Sequence, residues 1–206
     1  GRYVSFASRA NNLIADDYNH TWDIFVHDLE TSETWRISEA PDGSDGNSSS
    51  VSPTIDCHGT HVVFISYASN LVAQDNNYSA DVFVYDVVAD TLIRASVSSE
   101  GDEANDYTYS ASIDRSGKYV VFESDATNLV PDDLNARTDI FVRDIVNGVT
   151  TRVSVAYDGA ESNGYSYQPS ISCDALFVSF ESDATNLVLD DFNNRTDIFI
   201  APGQGS

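Results

Sequence analysis

Short apolar runs, never much longer than five residues, alternate along the whole chain with polar segments rich in Asp, Asn, Ser and Gly. A bilayer-crossing helix needs about 20 consecutive apolar residues, and nothing here approaches that. The runs recur with a fixed period. Phe6, Phe64, Phe122 and Phe180 stand 58 residues apart, as do Asn12-Leu13-Ile14, Asn70-Leu71-Val72, Asn128-Leu129-Val130 and Asn186-Leu187-Val188. Asp23-Ile24-Phe25, Asp81-Val82-Phe83, Asp139-Ile140-Phe141 and Asp197-Ile198-Phe199 keep the same step, with no insertion or deletion. Within one period the pattern predicts strands over 118–124, 139–144 and 150–155, and a fourth over 165–171 that opens the next unit. Gly turns separate the third from the fourth: Asp42-Gly43, Glu100-Gly101 and Asp158-Gly159. Helical spacing is hard to find.

Strands apolar on both faces must be covered on both sides. Four-stranded sheets flanked by copies of themselves satisfy this, which predicts an all-β fold of β-propeller-type blades. A β-solenoid is the rival, but its rungs are usually shorter. The chain reads as a single repeat domain over 1–206, in units of approximately 1–58, 59–116, 117–174 and an incomplete 175–206. About three and a half repeats are present, so the first blade lacks its inner strand and the last its outer one. Pro53-Thr-Ile-Asp-Cys-His-Gly-Thr-His-Val-Val-Phe64 and Ser112-Ile-Asp-Arg-Ser-Gly-Lys-Tyr-Val-Val-Phe122 resemble the TolB-like, WD40-like propeller repeat. The resemblance extends through the 58-residue unit, and is nearest to the long-blade subgroup of secreted bacterial propellers. Ala175 stands where that turn motif has Gly.

Composition sharpens this. The 33 acidic residues against 10 basic ones give a net charge of −23, which excludes a phosphate-neutralising nucleic-acid binder and disfavours an anionic membrane surface. Hydrophobic residues still make up 41%, too many for a disordered polyanion. Methionine is absent, so either a leader has been removed or the chain is part of a longer one. Of the acids, 25 are Asp, the residue of turns and metal loops.

Those aspartates concentrate in the loop between the strands predicted over 118–124 and 139–144, and in its equivalent in every unit: Asp16, Asp17, Asn19 and Asp23; Asp75, Asn77 and Asp81; Asp132, Asp133, Asn135 and Asp139; Asp190, Asp191, Asn193 and Asp197. Oxygens at relative positions 1, 3 and 7 suit a hard cation that takes six to eight oxygen ligands, and Ca²⁺ is the expected cofactor. The spacing is not that of an EF-hand, and Gln74 replaces the leading Asp in the second copy. Without metal, the same residues would cap turns and bond backbone N–H groups. A second acidic series (Asp45, Glu103, Glu161) reads as solvated turns, and Arg36, Arg94 and Arg152 as ion-pair partners for an acidic loop.

Cys57 and Cys173, in equivalent turns two blades apart, are expected to be free thiols, because alternate blades normally exceed the ~7 Å reach of a disulfide. His58 and His61 read as ordinary surface histidines. Tyr107, Tyr109, Tyr165 and Tyr167 alternate along inner strands and read as packing residues, or as a sugar-binding surface. No hydrolase or phosphate-loop motif occurs. Repeated acids argue for structure, since an active site is built where units differ. The sequence therefore predicts no catalytic residues. It points to an extracellular, calcium-binding module for structural, adhesive or self-assembly interactions, whose partner is another protein or further copies of itself. A polysaccharide hydrolase or lyase on the same fold, or a carbohydrate-binding module, is the alternative.

Overall fold

The computed structural model describes residues 1–205, which contain fourteen strands and no helix. β1 (Tyr3–Ser8), β2 (Asp23–Asp28) and β3 (Thr34–Arg36) form the first sheet. β4 (Ser50–Ile55), β5 (His61–Ser66), β6 (Asp81–Asp86) and β7 (Thr91–Arg94) form the second in that order. β8 (Thr108–Ile113), β9 (Tyr119–Ser124), β10 (Asp139–Asp144) and β11 (Val149–Arg152) form the third, and β12 (Ser166–Ile171), β13 (Phe177–Ser182) and β14 (Asp197–Pro202) the fourth. All pairings are antiparallel. Among the described residues the first sheet has no inner strand and the fourth no outer one, as the repeat arithmetic requires.

Register repeats along with sequence. Phe6 lies opposite Phe25, Phe64 opposite Phe83, Phe122 opposite Phe141 and Phe180 opposite Phe199, with ring centroids 5.6–5.9 Å apart. Because side chains alternate across a strand, every sheet has two different apolar faces. The face toward the following blade is aliphatic: Ile24 and Val26, then Val82 and Val84, then Ile140 and Val142. It packs on the phenylalanine face of the next blade, where Phe64 and Phe83, Phe122 and Phe141, or Phe180 and Phe199 meet it. Leu71, Leu129 and Leu187 of the Asn-Leu motif plug the edge of each phenylalanine face. The core is thus three inter-blade layers rather than one centre.

Two expectations need correction. The strand expected over 150–155 is shorter: β11, the outer strand of the third blade, stops at Arg152. The chain bends there because Ser154 turns inward: its Oγ donates to Asp139 Oδ1 at 2.5 Å and accepts the Ile140 N–H at 3.0 Å. Ser38 and Ser96 do the same for Asp23 and Asp81. Cys57 and Cys173 are not free thiols but a disulfide, with Cα atoms 6.3 Å apart. The inner strands β4, β8 and β12 lie side by side, and their terminal turns converge. Arg115, in the middle turn, donates its N–H to the Cys173 carbonyl at 3.1 Å. Spacing estimated from whole blades overlooks that convergence.

Candidate functional site

The acidic loops close around an arginine. In the third blade Arg152 Nη1 lies 3.1 Å from Asp133 Oδ1, 3.4 Å from Asp139 Oδ2 and 3.0 Å from Glu161 Oε1. In the second, Arg94 Nη1 lies 3.9 Å from Asp75, 3.3 Å from Asp81 and 2.9 Å from Glu103. In the first, Arg36 Nη1 lies 2.6 Å from Asp45 and 3.9 Å from Asp17, with Asp23 buried beneath them. The arginine comes from the last strand of the blade, and its two nearest loops, which the sequence treated separately, form one cluster. Asp45, Glu103 and Glu161 are therefore not solvated turn residues. Each also accepts a backbone N–H from the first loop, of Tyr18, Asn76 and Leu134 respectively.

The expected ligand set divides. Asp17, Asp23, Asp75, Asp81, Asp133 and Asp139 face the arginine. Asp16, Asp132 and Asp190 instead occupy left-handed backbone positions, with φ of 65°, 58° and 64°, and are exposed. Gln74 does the same at 62°, so this position is a turn that short polar residues tolerate, and no ligand is needed to explain it. Asn19, Asn77 and Asn135 each accept, through Oδ1, the N–H two residues on. Their Nδ2 groups donate to the carbonyls of Gly46, Ala104 and Ser162. Asn77 and Asn135 also donate to Asp81 and Asp139. These amides therefore turn an N–H₂ toward the carboxylates. In the fourth blade Asn193 Nδ2 donates to Asp197 Oδ2 at 2.6 Å, and Asp191 is half-buried.

Electrostatics are unbalanced. The second and third clusters each set three carboxylates against one guanidinium, and in the first Glu39 adds a fourth at 3.9 Å from Arg36 Nε. Burial, reinforced by Asp139, pushes Asp133 up to about 6, and burial with repulsion from Asp81 pushes Asp75 up to about 6. Burial also raises Asp23, Asp81 and Asp139. Asp23 Oδ2 and both Asp133 carboxylate oxygens lack a geometrically sound hydrogen bond. Among the described residues no three His, Cys, Asp or Glu side chains form a metal-ligating group. Guanidinium nitrogens lie where the carboxylates converge.

The tyrosines are also not where packing would put them. Tyr109 on β8 is 46% exposed, and Tyr107 and Tyr165, which immediately precede β8 and β12, are 41% and 38% exposed. His61 Nδ1 lies 2.9 Å from Asp56, a contact internal to the β4–β5 hairpin.

No protein-family model and no curated protein matches the sequence. Solved structures do. The chain superimposes on TolB from Acinetobacter baumannii with a TM-score of 0.51 at 16% identity, covering 98% of this chain and 41% of that one. The β-propeller domain of the trilobed protease from Pyrococcus furiosus, described as an open velcro topology, gives 0.55 at 11% identity over 100% and 53%. The fold is a TolB-like β-propeller. An oligogalacturonate lyase from Vibrio parahaemolyticus also matches, at 0.51 and 12% identity over 97% and 48%. The propeller segment described here spans about half the length of these chains, and identities this low carry fold alone.

Proposed function

We propose that this propeller segment is a non-enzymatic module of the cell envelope or extracellular space that assembles with further copies of itself through its end faces. One observation carries the reading. Ile198 and Ile200 of β14 are 76% and 72% exposed, whereas their repeat partners Ile24, Val82 and Ile140 are fully buried under a following blade. Phe177 is exposed on the same face. At the other end Val4 and Leu13 are exposed beside Phe6, on the face type that covers aliphatic faces elsewhere in the chain. One copy therefore offers both halves of a contact already made three times internally. The repeated clusters support a structural role, because they recur in every complete blade. The disulfide supports an oxidising compartment. Light scattering should give twice the 22.5 kDa chain mass, and Ile198→Arg/Ile200→Arg should return it to the monomer. A wild-type monomer at high micromolar concentration would refute the reading.

Calcium is a second reading, favoured by the uncompensated negative charge left in each complete cluster and by the unbonded Asp23 and Asp133 oxygens. A ligand at 100 times its Kd stabilises by about 2.7 kcal/mol. For a chain of this size that is roughly 5–10 °C in Tm. Millimolar Ca²⁺ compared with a chelator should show such a rise, with Mg²⁺ much less effective. An unchanged Tm would mean that the arginines alone hold the loops.

A further inference from the structure

We infer that the tyrosine surface at the start of the inner strands of the third and fourth blades binds the guanidinium or ammonium groups of a basic peptide. Tyr107 and Tyr109 stack at 6.3 Å between centroids, and Tyr165 and Tyr167 at 6.2 Å. The second blade has Ser49 and Val51 at these positions, so the feature breaks the repeat. Both pairs are braced alike. Tyr109 Oη donates to Asp125 Oδ2 at 2.5 Å, while Asp125 Oδ1 accepts from Thr138. Tyr167 Oη donates to Asp183 Oδ2 at 3.4 Å, while Asp183 Oδ1 accepts from Thr196.

Glu123 joins the two halves. It is buried, and its Oε2 accepts from Ser110 Oγ at 2.8 Å and from the Gln168 N–H at 2.9 Å across the blade boundary. Gln168 holds a left-handed φ of 49° at the irregularity in the β12–β13 pairing. The surface is strongly anionic: the Asp125 hydrogen bond, burial, and the charges of Asp125, Asp106 and Glu123 all hold the proton on Tyr109. Among the described residues none of Asp106, Glu123, Asp125 and Asp183 has an ion-pair partner.

The repeat itself indicates what such a ring accepts. Arg137 reaches from the third blade to place its guanidinium carbon 4.5 Å from the centroid of Tyr165. Fifty-eight residues earlier the corresponding pair is Ser79 and Tyr107, and Ser79 brings no charge to that ring. A cationic side chain from outside the chain can make over Tyr107 the contact that Arg137 makes over Tyr165, with Asp106 and Asp125 alongside. A cation over an aromatic face gains about 0.5–2 kcal/mol, and the net charge of −23 draws a basic ligand in. A neutral sugar would stack on the rings without balancing the carboxylates, and a polyanion would be repelled. This site is separate from the end faces and does not depend on assembly.

The test is titration of the isotope-labelled chain with an acetylated Arg-Gly-Arg amide, followed by NMR. Shifts should concentrate at Tyr107, Tyr109 and Asp125, and Tyr107→Leu should weaken binding roughly 3- to 30-fold. Ser79→Arg should weaken it comparably by supplying the cation from within, leaving every aromatic residue in place. Asp42→Asn makes the same change in net charge at an exposed distant turn and should leave affinity unaltered. Absence of binding, equal loss in Asp42→Asn, or full binding in Ser79→Arg would each overturn the inference. So would Tyr107-dependent binding of a neutral hexasaccharide in place of the peptide.

Discussion

Arg152→Ala is expected to destabilise the fold by about 3–5 kcal/mol, the cost of leaving buried charges without their partner. That lowers Tm by roughly 6–20 °C for a chain of this length. The side chain sits among Asp133, Asp139 and Glu161, and the two aspartates are almost wholly buried. Removing it also leaves the Glu161 tie to Leu134 without its charge partner. Denaturant melts would measure the loss, and their pH dependence would identify its origin. Asp133 titrates at about 6 in the folded chain, above its unfolded value near 3.8. The folded state therefore binds the proton first as pH falls from 6 toward 4, and stability from this group rises over that window. Without Arg152 the aspartates take up protons at still higher pH, so the deficit at pH 7.5 should shrink at pH 5. Glu161 opposes the trend: burial raises it, but the Leu134 N–H and Arg152 hold it below its ordinary value. A deficit independent of pH, or below 1 kcal/mol, would show that the arginine does not neutralise the cluster. Adding Asp133→Asn and Glu161→Gln to Arg152→Ala should recover part of the loss.

Breaking the Cys57–Cys173 bridge should cost about 2–4 kcal/mol. The bond closes a loop of 116 residues, long enough for the unfolded chain to gain considerable freedom when it opens. It ties the second blade to the fourth through the crowded ends of the inner strands. Cys57→Ser and Cys173→Ser should each lower Tm by roughly 4–16 °C. Wild-type protein treated with reductant should fall by the same amount, and the double variant should lose no more than either single one. Two thiols reacting with a maleimide in the unreduced, denatured protein would contradict the pairing.

The blades were legible because Phe6, Phe64, Phe122 and Phe180, with their partners, occupy one register at one interval. A repeated hydrophobic pattern needs no three-dimensional information to reveal the face it makes. The clusters were legible only by half. Asp17 and Asp23, with their copies, were found as convergent acids, but a loop sequence shows neither which way an asparagine amide turns nor how far a distant arginine reaches. A signal did exist: an acid follows the arginine by nine residues at Arg36 and Asp45, Arg94 and Glu103, and Arg152 and Glu161. The cysteine pairing was hidden because it depends on how three inner strands crowd together. The tyrosines misled because alternation along a strand distinguishes faces without saying which is covered.

The asparagines of the Asn-Leu motif bear on how such a chain lengthens. Asn70, Asn128 and Asn186 each accept the N–H of an asparagine 23 residues earlier, and each donates to the carbonyl of Asp45, Glu103 or Glu161 in the preceding acidic loop. Every junction is stitched by the same pair at the same offset. A gene segment encoding one period therefore carries both halves of its stitch, and unequal recombination inserts or deletes it without leaving an unmatched seam. Growth by whole modules then requires no compensating substitutions at the joints.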